Sequence, residues 1–379
     1  MNRFTNTLFT GLLLSLLFAC STGRNAYNRG DYYTSTLQAV KRLRSSPDNE
    51  KAIEMVRKSY PMAIEYYHQQ IDGIAASNTP DKYLLISEQY KRLNSLADEI
   101  SRCPAALDAV KPVVYFHDQL QKAEQLAIDE QFSNALTLLE SRNIYDARKA
   151  YEKLVWVKTT QPNQQGIDEQ LAIAKDLATL KVVVEQLPDR NANYEVNTRE
   201  FYIQVYNYLV KNTPHDFIRF YQPQLAQELN ITPHQVVSIQ VERFNIGAIV
   251  EREQNHSFIS DSVVVGSYTA NDGNKYDVKG LVKAGVVEYS RELLAKGVLK
   301  IQVEEYQGDI LNTQTFANEY VWENNWATFN GDERALPNNM LVLTKNKPKN
   351  PPTPQEVFIF VSEPLLNPIT TFIRSQYKK

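Results

Sequence analysis

Residues 319–336 read EYVWENNWATFNGDERAL. Two of the three tryptophans, a tyrosine and a phenylalanine lead there into Gly331, Asp332, Glu333 and Arg334. Acids beside a guanidinium, next to aromatic rings, have the composition of a catalytic or ligand site. In an extended strand successive side chains alternate between faces. Tyr320, Trp322, Asn324, Trp326 and Thr328 then share one face. Val321, Glu323, Asn325, Ala327 and Phe329 share the other. An aromatic stripe of this kind is most often the buried face of a sheet packed under helices; its other use is a stacking platform for a sugar or a partner. Gly331 permits a turn, Asp332 suits an N-cap, and Arg334 suits pairing with a nearby acid.

Other chemistry is thin. The five histidines, His68, His117, His215, His234 and His256, show no metal-ligand spacing, and there is no His-Glu-x-x-His or cysteine cluster. No metal and no cofactor are therefore expected. Val265-Gly266-Ser267-Tyr268 lacks the second glycine of a hydrolase elbow. No phosphate loop or dinucleotide fingerprint is present. His215 with Asp216, or His256 with Asp261, would make a dyad, although turns and caps are the commoner use. Glu304 and Glu305 are strand neighbours and point apart. Glu251 and Glu253 share a face, but Arg252 and polar neighbours suggest a solvated edge. The chain is not expected to be an enzyme.

The elements that would carry these residues fall into two halves. The 379 residues are 43% hydrophobic and 22% charged, enough for one large or two medium domains. The net charge of -3 leaves no basic footprint for nucleic acid. Residues 25–187 carry helical apolar spacing, with Pro47, Pro80, Pro104 and Pro162 as punctuation. Pro61 falls inside a helical stretch and either starts a new helix or kinks one. Residues 188–193 are polar and turn-rich. A helical passage follows, over residues 198–211 and 216–229. From Gln235 the period becomes two: strands are expected over 235–242, 258–266, 276–289, 299–305 and 310–329. Asn271-Asp272-Gly273-Asn274 is a hairpin turn and Gly308-Asp309 another. Gly280 and Gly285 suggest bulges, and residues 290–296 a short helix or loop. Residues 357–361 (VFIFV) read as a short strand and 363–377 as an amphipathic helix. The single mature cysteine, Cys103, reads as a buried apolar residue or a reactive thiol.

The N-terminus has Arg3, then an apolar run from Leu8 to Ala19, then Cys20-Ser21. About a dozen apolar residues suit a signal-peptide core rather than a permanent span. No second apolar run of spanning length is expected. Leu17-Phe18-Ala19-Cys20 resembles the bacterial lipobox. That resemblance implies cleavage before Cys20 and acylation of Cys20, with the net charge falling to -4 as Arg3 leaves. Ser21 in place of Asp resembles the class sorted to the outer membrane. The absence of an acidic run over 21–25 favours its periplasmic face.

Within the helical half, 26–37 (AYNRGDYYTSTL) and 143–151 (NIYDARKAY) set a turn and aromatic residues between amphipathic pieces. Pro47-Asp48 and Pro162-Asn163 follow them. Both resemble the tetratricopeptide repeat, with Ser35 and Ile144 where the family has Ala and Gly. The resemblance implies a solenoid whose concave face binds a protein partner, with Tyr32, Tyr33, Tyr145 and Tyr151 as surface candidates. A helical bundle is the other arrangement.

The expectation is thus α+β: a signal peptide over 1–19, a TPR-like α-solenoid or helical bundle over 20–187, and a mainly antiparallel sheet with flanking helices over 195–379. Its function is expected to be binding or scaffolding of envelope proteins, anchored through Cys20. The alternative is a glycan-binding lipoprotein resembling the SusD-like class, with Tyr320, Trp322 and Trp326 stacking on sugar. That class is usually longer and lacks a large C-terminal sheet. An envelope hydrolase is third.

Overall fold

The computed structural model describes residues 23–188, 194 and 196–378. The signal peptide and Cys20 lie outside the described residues. The chain divides into two compact units, Met1–Ala178 and Thr179–Lys379.

The first unit is helical: α1 Arg24–Asn28, α2 Tyr32–Ser45, α3 Glu50–Ala76, α4 Lys82–Ser101, α5 Pro104–Val110, α6 His117–Glu140, α7 Ile144–Thr160 and α8 Ile167–Ala178. Side-chain caps set several starts. Asp31 accepts from the Thr34 N–H, Asn49 from Ala52 and Asn143 from Asp146. Each satisfies a donor that the first helical turn leaves free. The helices pack mainly on sequence neighbours, α2 on α3, α3 on α4, α6 on α7 and α7 on α8, with α4 meeting α6 across the short α5. Small side chains let α2 and α3 approach closely. Ser35, Thr36, Ala39, Ala52, Ser59 and Ala63 are all fully buried, and Thr36 Oγ1 lies 2.7 Å from Ser59 Oγ. Pro61 stays within the 27 residues of α3. Cys103 is buried at 2% exposure, the outcome expected of an apolar residue.

Asp81, Gln131 and Lys153 tie α4, α6 and α7 together. Lys153 Nζ lies 2.8 Å from both Asp81 Oδ1 and Gln131 Oε1, and Gln131 Nε2 donates to Asp81 at 2.7 Å. The hydrogen bond from Lys153 holds the Asp81 carboxyl below its ordinary range.

The second unit is a six-stranded mixed sheet with flanking helices. Its elements are β1 Leu180–Gln186, α9 Arg199–Lys211, β2 Ile218–Tyr221, α10 Pro223–Glu228, β3 Gln235–Ile246, β4 Val250–Thr269, β5 Lys275–Glu305, β6 Ile310–Gly331, α11 Asn338–Lys345, α12 Pro354–Ser362 and α13 Leu366–Ser375. β1 is parallel to both β2 and β3, while β3, β4 and β6 all run antiparallel to β5.

Several expectations are corrected here. The helical reading of 25–187 ends at Ala178, because 180–186 is strand β1. Val182, Val183 and Val184 are all buried; a parallel strand covered on both faces shows a continuous apolar run rather than alternation. Residues 216–229 are not one helix but β2 and the short α10, divided before Pro223. Residues 290–296 are neither helix nor loop; β5 runs unbroken for 31 residues. Gly280 lies opposite a bulge carried by β4 between Ser260 and Val263, and a second β4 bulge falls between Val264 and Gly266. Further shifts fall at Val241/Arg243 on β3 and opposite Val303/Glu304 on β6, whereas Gly285 pairs regularly with Ser257. Residues 357–361 form part of helix α12, started by a capping box in which Thr353 and Glu356 bond reciprocally.

Among the described residues, one helical run, Pro354–Ser375, is long and apolar enough to cross a membrane, against the expectation of no second such run. Val357, Phe358, Val361, Ile369 and Ile373 of that run lie in the sheet's core with Leu299, Ile301 and Val303. Its apolarity is therefore already used by the fold.

β5 changes its covered face along its length. Val282, Ala284 and Val286 are buried near its start, and Leu293, Ala295, Leu299, Ile301 and Val303 near its end. The first set packs with Ala335 and Met340, the second with α12 and α13. Even positions face one cover and odd positions the other, as strand geometry requires.

Candidate functional site

The expected aromatic stripe exists, but its members have different surroundings. Tyr320 stacks on Phe360 of α12, with centroids 4.7 Å apart. Trp322 packs against the main core of the unit. Asn324 is 7% exposed; its Nδ2 donates to Lys347 O at 3.3 Å and its Oδ1 accepts from Lys349 N at 2.7 Å. These bonds pin the 346–353 segment as it passes from α11 to α12. Trp326 stacks on Tyr289, its register partner, at 5.2 Å and 11°. The Arg291 guanidinium lies 5.1 Å from the Trp326 centroid, and its Nε is 2.6 Å from Glu251 Oε1. Tyr320 and Trp322 thus serve the architecture, and Trp326 keeps a partly open ring.

Gly331 takes φ 117, a conformation that L side chains rarely adopt, and Asp332 caps the short 3₁₀ turn Glu333–Ala335. Arg334 grips Asp332 with two nitrogens, Nε to Oδ1 at 2.9 Å and Nη2 to Oδ2 at 2.6 Å. That fork pulls the Asp332 carboxyl from its ordinary 3.8 to about 2. Because the folded pKa is the lower one, the contribution is complete above pH about 4 and disappears as pH falls towards 2. An NMR titration of Asp332 should place its midpoint near 2, and Arg334→Gln should move it back towards the ordinary carboxylate range. The pair is exposed, so salt should also raise the midpoint.

The helical unit gathers a second aromatic group. Tyr27, Tyr32, Tyr66, Tyr67 and Tyr33 follow one another edge to face, at 5.3, 6.5, 5.6 and 5.9 Å. Tyr33 and Tyr67 lean into a small core with Leu93 and Phe116, while Tyr66 is 45% exposed. Of the four tyrosines expected to form a surface, Tyr32 and Tyr33 belong to this group. Tyr145 is 76% exposed at the start of α7, and Tyr151, six residues on, lies on a different face of that helix. Sequence reading missed Tyr27, Tyr66 and Tyr67. The available signal was the Tyr-Tyr dipeptide at 66–67, which repeats the one at 32–33.

An open groove of 580 Å³ lies between α6 and α8, lined by Leu136, Leu139, Arg142, Ile173 and Leu177 among others. No nucleophile–base pair converges there. Elsewhere His256 Nε2 meets Glu288 Oε2 at 2.9 Å rather than Asp261. His215 Nδ1 accepts from the Phe217 N–H at 3.1 Å, the local turn use. Among the described residues no group of three or more His, Cys, Asp or Glu is placed to hold a metal ion.

Comparison with family models, with curated proteins and with solved structures finds no match to this chain.

Proposed function

We propose that this chain is a lipid-anchored envelope protein, held through acylated Cys20 at the periplasmic side of an outer membrane, that binds a protein partner through its helical unit. The observation that carries the reading is the edge-to-face tyrosine chain running from Tyr27 to Tyr33 through the half-exposed Tyr66. Tyrosine gives a rigid, amphipathic contact with little side-chain entropy to lose, and it is enriched where proteins bind proteins. Packing of helices on their sequence neighbours supports the tetratricopeptide-like reading, in which stacked pairs offer a continuous binding surface.

Co-purification of the full chain from solubilised membranes should yield a stoichiometric partner. Tyr66→Ala and Tyr32→Ala should weaken its capture roughly tenfold or more, the usual cost of losing an interface hot spot. A partner retained equally by both variants would remove the tyrosine face from the proposal.

A glycan reading now rests on Trp326, Tyr289 and Arg291, since α12 and the core take up Tyr320 and Trp322. A partly exposed aromatic ring beside a guanidinium suits a sugar with an acidic group. Loss of glycan binding in Trp326→Ala, with Tyr66→Ala unaffected, would favour it.

A further inference from the structure

Beyond the point where β6 ends, opposite Ala284, β5 pairs only with β4 among the described residues. This two-stranded hairpin carries apolar side chains on both faces: Ile259, Val264, Val265, Tyr268, Tyr276 and Leu281 are 42% to 60% exposed. Two strands alone are marginal in water, and exposed apolar side chains grouped on such a hairpin mark an interface.

The two free edges of the hairpin are treated differently. The open edge of β5, residues 275–282, carries Lys275 and Lys279, and Lys283 follows where the Asp332 N–H takes its carbonyl. None of these lysines makes an ion pair among the described residues. Lysines along an edge discourage another strand from pairing there. The outer edge of β4 has no partner among the described residues, and between 257 and 270 its only charge is Asp261. The defended edge belongs to β5, and the undefended one to β4.

The β4 bulges divide this edge symmetrically. Residues 257–260 and 266–269 are regular on either side of the bulged segment. In that segment Arg334 Nη1 already occupies the Val264 carbonyl, at 2.5 Å. Phe258 pairs with Ala284 and Tyr268 with Tyr276, eight residues apart on β5, so both point to the same face and share the same phase of the ladder. An antiparallel two-fold centred on Val263 sets 257–260 of one copy against 266–269 of the other. Phe258 then lies opposite Tyr268 twice over, a favourable cross-strand pairing. Such an arrangement uses the same patch on both copies and closes on itself.

We propose that the outer edge of β4 pairs with the same edge of a second copy of this chain, joining two sheets into one. The exposed apolar side chains of β4, Ile259, Val264, Val265 and Tyr268, present on the order of 400 Å² per copy, about half of the roughly 800 Å² per partner of a specific interface, and the paired backbone and polar rim add the rest.

The test is light scattering on the full chain in detergent, wild type against Val264→Lys with Tyr268→Lys. Wild type should be a dimer, and the variant a monomer with an unchanged melting curve, its dissociation constant raised at least tenfold. Ser262→Cys mixed with Val264→Cys, positions that face each other across the two-fold, should form disulfide-linked dimers under mild oxidation faster than Thr313→Cys on β6. Cys103 is buried and stays silent. A wild-type monomer at high micromolar concentration, a variant that remains dimeric, or cross-linking of the mixed pair no faster than that of Thr313→Cys would overturn the proposal. So would hairpin-dependent liposome binding by a monomer, which would assign the surface to a membrane.

Discussion

Ile301→Ala should lower the stability of the second unit by about 2–5 kcal/mol, while Ile310→Ala should change it by no more than about 0.5 kcal/mol. The two residues are nine apart, of one type, in consecutive strands. Ile301 is fully buried in the core with Val357, Val361, Ile369 and Ile373. Truncating it loses the transfer free energy of the removed carbons and leaves a void that two helices and a sheet can close only in part. Ile310 is 59% exposed at the start of β6. Urea unfolding followed by tryptophan fluorescence checks the contrast, because Trp322 packs on the same core as Ile301. A large loss at Ile310, or none at Ile301, would mean that β5 buries the other face at this end.

The second large effect concerns the anchor. Under the proposed function, Cys20→Ser should move the protein from the membrane fraction to the soluble one. Each buried methylene contributes about 0.8 kcal/mol, so an anchor with several acyl chains holds a domain almost permanently, whereas one without any holds nothing. Fractionation with a high-salt wash is the measurement. Wild type should stay with the membrane and the variant should leave it. The helical run Pro354–Ser375 sharpens the experiment, since it is the one other segment among the described residues that is apolar enough to span. Its buried side chains fill the sheet's core, so Cys20→Ser should not remain membrane-bound through it.

What was legible in the sequence follows physical lines. Where one side of an element meets water, periodicity showed it. The alternation over 320–328 placed Tyr320, Trp322, Asn324 and Trp326 on one face, and the structure has them there. Asp332 reads as a cap and is one, and Arg334 reads as pairing with a nearby acid, which the structure shows to be Asp332 itself. Where both sides are covered, periodicity vanishes. Val182, Val183 and Val184 of β1 therefore passed for helix. In α12, Val357, Phe358 and Val361 bury while Ile359 and Phe360 remain 40% and 44% exposed. A short apolar run of this kind looks the same as a strand. The deciding mark was local, the Thr353–Glu356 capping box, which lies before the run. The long β5 was obscured for another reason. Between Val286 and Leu293 its covered face changes side, so no single alternation runs through it. The tyrosine face was half visible. Tyr32 and Tyr33 were singled out, but the packing of α2 on α3 that brings Tyr66 and Tyr67 beside them is a tertiary fact.

The central claim is that the tyrosine face of the helical unit holds a protein partner in the envelope. A photoreactive phenylalanine analogue at position 66 of the full chain, irradiated in intact cells, tests it most directly. The half-exposed ring of Tyr66 can be replaced without touching the buried core beside it. The same analogue at position 306, an exposed tyrosine of the second unit, is the control. The expected result is one protein adduct from position 66, absent from position 306 and lost when Tyr32→Ala is added. No protein adduct from position 66, or the same adducts from both positions, would contradict the account.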